Sequence, residues 1–365
     1  DLENAPRVRF DTAKNFFHRL QKEQDSLDTW VGELYLELHR GTLTTHGLVK
    51  KQNRKLEWKL RAVEMLWSCI HLDKYPAKEL DALWKKLLIN QFHDIIPGSS
   101  INLVYQTTHK EYEEIHKGCD DLINQSANIL FQEDQDAFVL MNTLSYKWEG
   151  MVTLPESFHG YEILNENGES LKVQTIGEKA EAFVSLFPMS YSTFKKGEQC
   201  NPEVSSDGGL VIENELIRYE FSDKGEMVSA FDKEVEKEVL EGVGNVLSLY
   251  EDRPNNWDAW DIDFFYRDAL LETAVVSSKS SGSTGSISKQ IEFTFKIGVS
   301  KIVQRIVLQP ASKRIDFQTI VDWKEKHKML RVHFPVSIRS EQATFDIQYG
   351  YVKRNSHRNT SWDKA

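Results

Sequence analysis

The hydrophobic repeat changes once along the 365 residues, and that change limits the fold more than any other feature. Up to about residue 131, apolar side chains recur at helical spacing. From about Ala137 they fall on every second position. A chain with helices first and alternating strands afterwards is expected to be α+β and multidomain, a small bundle followed by a large antiparallel sandwich.

Leu56, Leu60, Val63, Trp67 and Ile70 follow one another at intervals of 4, 3, 4 and 3, the seam of a packed helix that Tyr75-Pro76 should end. Leu80, Leu83, Trp84, Leu87, Leu88 and Phe92 form a second stripe, which Pro97-Gly98 should stop. Ser99 or Ser100 is placed to cap a third helix through Val104, Tyr105, Tyr112 and Ile115. Three helices with short connections suggest an antiparallel bundle over 44–134. Beyond it, Ile291, Phe293, Phe295 and Ile297 alternate with polar residues. So do Ile315, Phe317, Thr319, Val321 and Trp323, then Leu330, Val332, Phe334, Val336 and Ile338. Turn signals separate these runs, so 135–365 reads as the sandwich. The Ser/Gly-rich run Ser277–Ser288 reads as a mobile hairpin loop. Residues 1–43 hold one short helix, which Thr12 could cap over Phe16, Phe17 and Leu20, and look like the tail of a domain that began upstream.

Composition excludes some partners. Acidic residues outnumber basic ones by 56 to 45, a net charge of −11. Nucleic acid and anionic membranes both repel such a surface. No apolar run reaches the ~18 residues that span a bilayer. Cys69, Cys119 and Cys200 lie far apart with no CxxC pair, which argues against cysteine-ligated zinc and suits a reducing cytoplasm.

Four stretches carry residues able to do chemistry. Asn90-Gln-Phe-His-Asp-Ile-Ile-Pro-Gly-Ser-Ser100 places His93 and Asp94 near the end of a helix. Imidazole is a common zinc ligand, a neighbouring carboxylate can hold a sugar hydroxyl, and Asn90 and Gln91 could orient the ring. On local pattern alone the plainer account, a histidine satisfying the helix's last carbonyls, takes precedence. His71-Leu-Asp73 imitates a ligand pair but reads as a solvated turn. Trp30, Tyr35, His39 and Arg40 combine aromatic faces suited to sugar rings with hydroxyl-binding groups, or pack at a domain edge. Asn255-Asn-Trp-Asp-Ala-Trp-Asp-Ile-Asp263 could line a sugar groove, bind calcium through oxygen, or be a clamped loop. Glycosidases need two carboxylates flanking the scissile bond, and nothing here pairs convincingly with Asp94.

Several runs together go further. NQFHDIIPGSSI (Asn90–Ile101) resembles the signature helix end of glycoside hydrolase family 38, the zinc-dependent α-mannosidases. WVGELYLELHRGTLTT (Trp30–Thr45), KQNRKLE (Lys51–Glu57), WDAWDID (Trp257–Asp263) and QYGYVKRNSHRNTSWD (Gln348–Asp363) resemble further segments of that family in the same order. Asn355 departs from the proline that usually follows the arginine. The QFHD form is similar to the bacterial and cytosolic branch.

The resemblance implies that His93 is a ligand to one zinc ion, that Asp94 contacts mannose, and that Trp30 and Arg40 line the sugar pocket. It implies that the remaining ligands, the nucleophile and the acid/base lie in a β/α domain upstream of Asp1, missing from this chain. The implied activity is retaining, zinc-dependent exo-α-mannosidase hydrolysis of mannose-containing glycans, with this segment inactive alone. It leaves room for a homo-oligomer. The contrasting expectation is a non-catalytic carbohydrate-binding or scaffold β-sandwich protein.

Overall fold

The computed structural model describes residues 10–29, 39–176, 179–200, 203–204, 206–280, 282–284, 287–347, 350–357 and 359. Trp30, Tyr35, Gln348 and Tyr349 and residues 360–365, named above, lie outside that set. The chain divides into two compact units, 38–340 and the two terminal segments 1–37 with 341–365.

In the terminal unit, helix α1 spans Ala13–Leu20. Thr12 caps it as expected, its hydroxyl accepting from the Asn15 N–H at 3.3 Å. Its apolar positions Phe16 and Phe17 are exposed. Gln342–Ile347 and Gly350–Asn355 pair as an antiparallel hairpin.

The large unit begins with three long helices, α2 (Gly47–Ser68), α3 (Ala77–Asn90) and α4 (Asn102–Leu130). Val49, Leu56, Leu60, Val63, Trp67, Leu80, Leu87, Tyr105, Tyr112 and Ile115 form their common core. The seam on α2 is the one its spacing predicts. The second stripe is shorter than predicted. Leu88 and Phe92 are exposed, because Leu88 sits about 100° round the helix from Leu87 and Phe92 lies beyond the last helical residue. Three boundaries also differ from the sequence signals. Helix α2 ends at Ser68, well before Tyr75-Pro76. Helix α3 ends at Asn90 rather than at Pro97-Gly98. Helix α4 starts after Ile101, with no side-chain cap from Ser99 or Ser100.

From Ala137 onward the elements are strands apart from two short 3-10 helices, Glu156–Phe158 and Phe264–Asp268, and the strands pair antiparallel except for Val173–Ile176 with Glu203–Val204. Those of the large unit pack about two cores. In the first, the strand Lys179–Leu186 turns Ala180, Ala182, Val184 and Leu186 inward against Ile163 and Phe194 of the facing sheet. In the second, Lys289–Ile297 and Ser300–Leu308 lie side by side, with Ile291 opposite Ile306 and Phe295 opposite Ile302. Ile212, Tyr219, Phe221, Leu247 and Leu249 from two other sheets complete that core. Alternation fails on its outer strands. Val321, Trp323, Val332, Val336 and Ile338 are exposed, and among the described residues Ile315–Asp322 has a paired strand on one side only.

The described residues of Ser277–Ser288 include strand, where composition suggests a mobile loop. Val275–Lys279 and Gly282–Thr284 both pair with Lys289–Ile297. Ile287 and Ser288 are buried, and Gln174 from the first sandwich accepts from both their N–H groups (3.0 and 2.9 Å) and donates to the Ser288 carbonyl (3.1 Å).

Candidate functional site

His93 and Asp94 lie in a run of tight turns between α3 and α4. The Gln91 and Phe92 N–H groups bond back to Leu88 and Ile89, ending α3. Ile95 and Ile96 then bond to the Phe92 carbonyl, and Gly98 to that of Ile95. The two side chains point outward, 72% and 52% exposed, with His93 Nε2 3.4 Å from Asp94 Oδ2. The imidazole tilts against the Phe92 ring at 4.2 Å. His93 therefore does not serve as the helix's last cap. Leu88, Ile89, Phe92 and Ile101, its neighbours in the chain, are exposed apolar residues.

Polar side chains hold this turn onto the bundle. The Gln91 amide donates to Asn53 (3.1 Å) and Glu57 (2.9 Å) of α2. The Asn90 amide donates to the Lys86 carbonyl (2.9 Å) and to Glu111 (2.7 Å). Both groups thus fix the helix end, and neither orients the His93 ring. The Tyr105 hydroxyl donates to the Ile95 carbonyl (3.2 Å) and accepts from the Ser100 N–H (3.0 Å). The Ser100 hydroxyl, free of any capping duty, donates to the Asp94 carbonyl at 2.6 Å. Lys50 Nζ donates to the carbonyls of Ile96 (2.7 Å), Pro97 (3.3 Å) and Thr45. Burial pushes the Lys50 ammonium down to about 8.

Thr45 couples the turn to a second segment. Gly98 has φ +101°, and a Cβ there would fall 2.6 Å from Thr45 Cγ2, so only glycine fits without rearrangement. The Thr45 hydroxyl lies 2.9 Å from the Gly41 carbonyl and 3.0 Å from that of Ala259. Gly41 N–H donates to the Trp260 carbonyl at 2.7 Å. His39 meets the Trp260 ring edge-on at 5.2 Å. Arg40 Nε lies 3.1 Å from Asp261 Oδ1, and both side chains are largely shielded from water. The Trp257–Asp263 run is thus a loop clamped against residues 39–45. Its Asp261 and Asp263 carboxylates are engaged by Arg40 and by the Asn255 N–H, while Trp257 remains exposed. Burial, with Asp258 close by, raises the nearby Asp252 carboxyl.

The structure thus brings together, through Thr45, the 39–45 segment, the 91–98 turn and the 257–261 loop. Trp30, the remaining pocket residue expected from sequence, lies outside the described residues. His71 and Asp73 sit 3.3 Å apart in a solvated turn, as expected. Among the described residues no group of three or more His, Cys, Asp or Glu side chains is placed to hold a metal ion. The thiols of Cys69, Cys119 and Cys200 are free, and burial raises that of Cys119 to about 11. No helix among the described residues is long and apolar enough to cross a membrane. Sequence reasoning misses Lys50, which acts on a partner 46 residues away with no local pattern to mark it, and it leaves Asp261 within the singled-out 255–263 run without its partner Arg40, 221 residues away.

Two sequence models of one family match the chain: the alpha mannosidase middle domain over residues 37–130, and the glycosyl hydrolases family 38 C-terminal domain over 212–365. The chain is 33% identical over its whole length to human Alpha-mannosidase 2C1, of which it covers 35%. It is 30% identical to Alpha-mannosidase G of Dictyostelium discoideum, covering 38% of that protein. It therefore spans about a third of the length of these relatives. A crystal structure of an alpha-mannosidase from Enterococcus faecalis V583 matches 97% of the chain and 50% of its own at a TM-score of 0.74 and 17% identity, a likeness of fold. The order of helical bundle and antiparallel sheets, the two matched models and the full-length similarity agree, and the chain belongs to glycosyl hydrolase family 38, carrying its middle and C-terminal domain regions.

Proposed function

We propose that this chain forms the middle and C-terminal part of a cytoplasmic α-mannosidase, a retaining, zinc-dependent, exo-acting hydrolase of mannose-containing glycans. The observation that carries the proposal is the exposed His93–Asp94 pair, held at the apex of a backbone-anchored turn and bordered in sequence by exposed apolar residues. An imidazole next to a carboxylate suits both a metal ion and a sugar hydroxyl. Zinc needs three or four protein ligands, so His93 fits as one member of a set completed by another domain.

His93 is the ligand in this reading, and the Asp94 carboxylate accepts from a hydroxyl of the mannose. Asp261 holds Arg40 at the edge of the sugar pocket, and Trp30 offers a stacking face. A zinc ion held by His93 and ligands from another domain would supply Lewis-acid chemistry and help orient the sugar. The nucleophile and the acid/base come from the family's β/α domain, so the 365 residues alone are expected to show no turnover and weak zinc binding.

Hydrolysis of an aryl α-mannoside tests this, using the longer polypeptide in which the β/α domain is joined to this chain. Chelation and His93→Ala should each abolish activity, and Asp94→Asn should lower kcat/KM by about 10- to 100-fold, the loss of a hydrogen bond to a charged group. Activity untouched by His93→Ala refutes the assignment.

A further inference from the structure

We propose that Lys50 is a positioning residue for the His93–Asp94 turn, its ammonium tying the far end of that turn to helix α2 through backbone carbonyls. The proposal rests on the assignment of His93 and Asp94 as site residues.

Lys50 lies in the first turn of α2. Its Nζ gathers the carbonyls of Ile96 and Pro97 from the turn and of Thr45 from the segment leading into the helix. None of the three belongs to a regular ladder. Shielded carbonyls of irregular backbone need a donor from elsewhere, and an ammonium carries three protons for three acceptors. Among the described residues no carboxylate lies within ion-pair distance of Lys50, so these carbonyls meet its charge.

The near end of the turn is anchored to the same helix. Gln91 donates to Asn53 and Glu57. Lys50, Asn53 and Glu57 follow at intervals of three and four, so they share one face of α2. His93 and Asp94 are therefore held between two ties to one rigid element, with Tyr105 of α4 gripping Ile95 beyond them. Of the turn's apolar residues Ile95 packs against the bundle core, while Phe92, with His93 and Asp94, is exposed. On either side of Ile95 the turn is tied by polar groups, and Lys50 supplies the tie at the Pro97 end. Removing its donors orphans three carbonyls and lets Asp94 and His93 drift relative to the Thr45 segment. A site built from two domains tolerates little such drift, because a misplacement of about 1 Å can cost ~100-fold in rate.

Amide hydrogen exchange on this chain tests the proposal, with the His93 ring proton followed by NMR. Wild type, Lys50→Met and Lys50→Arg are compared without metal or sugar. In Lys50→Met, exchange at Ile96 and Gly98 should rise about tenfold or more and the His93 signal should shift, while Phe293 and Phe295 amides stay protected. Lys50→Arg, which keeps the donors, should restore most of the protection. Unchanged exchange and an unmoved His93 signal in Lys50→Met overturn the proposal. If Lys50→Met loosens the whole bundle, Lys50→Arg decides. Protection and a native His93 signal in Lys50→Arg support the tie, and loosening of both the turn and the Tyr112 region in that variant overturns it. Exchange is read without zinc, so a negative result leaves the His93 assignment standing. A negative activity result with His93→Ala likewise leaves the tie to Lys50 as measured.

Discussion

The second sandwich and the junction around Thr45 are built on opposite principles. In the sandwich, Phe293, Ile291, Ile302 and Ile306 are sealed on neighbouring strands, and apolar burial holds the ladder together. At the junction the segments carrying His39, His93 and Trp257 contribute few buried apolar groups. They meet through side chains bonded to backbone carbonyls, those of Lys50, Thr45 and Tyr105, and through Arg40 with Asp261. Burial is non-directional and tolerates exchange of one apolar residue for another. Hydrogen bonds to fixed carbonyls are directional and set positions. A fold can rest on the first, whereas a binding surface whose reactive groups face outward needs the second.

Substitutions should separate the two regimes. Phe293→Ala removes a fully buried ring and should cost about 3–5 kcal/mol in denaturant unfolding. Its effect should be global, lowering the midpoint for helices and strands that unfold together. Gly98→Ala places a Cβ against Thr45 at positive φ and should cost about 1–3 kcal/mol. Exchange should rise first in residues 91–98, and a uniform rise through the molecule would contradict a local role. Asp261→Ala removes the carboxylate that engages Arg40 Nε and should cost about 1–3 kcal/mol, seen as loosening of Gly41 and Trp260 amides.

Lys50 adds a pH signature. Its folded value of about 8 lies below the ordinary 10.5, so between those values the unfolded chain binds more protons than the folded one. Stability should therefore rise with pH across that window, and Lys50→Met should remove that part of the slope in denaturation series at successive pH values. The smallest effect is expected at the exposed Lys85–Asp81 pair, where Lys85→Ala should shift stability by no more than about 0.5 kcal/mol.

The legible parts of the fold were those governed by burial. The Leu56, Leu60, Val63, Trp67 seam and the Ile291–Ile297 alternation follow from period alone, because a sealed face must repeat with the backbone. Boundaries set by remote polar groups were not legible. Helix α3 ends at Asn90, where Asn90 and Gln91 turn to Glu111, Asn53 and Glu57, seven residues before the Pro97-Gly98 pair that looks like its stop. Ser277–Ser288 looks mobile by composition, yet strand pairing and Gln174, more than 100 residues away, hold its end in place. Local pattern also gave His93 a capping role that the geometry does not support. The family resemblance, not the spacing, singled out His93 and Asp94. Asp261 looked like one of several loop aspartates until the fold brought Arg40 to it.

Zinc content of the longer polypeptide containing this chain, measured by elemental analysis after exhaustive dialysis, tests the central claim most directly. The account predicts about one zinc per chain in the wild type, consistent with a single completed ligand set, and loss of that metal in His93→Ala with the fold retained. Zinc held equally by the wild type and His93→Ala would contradict it.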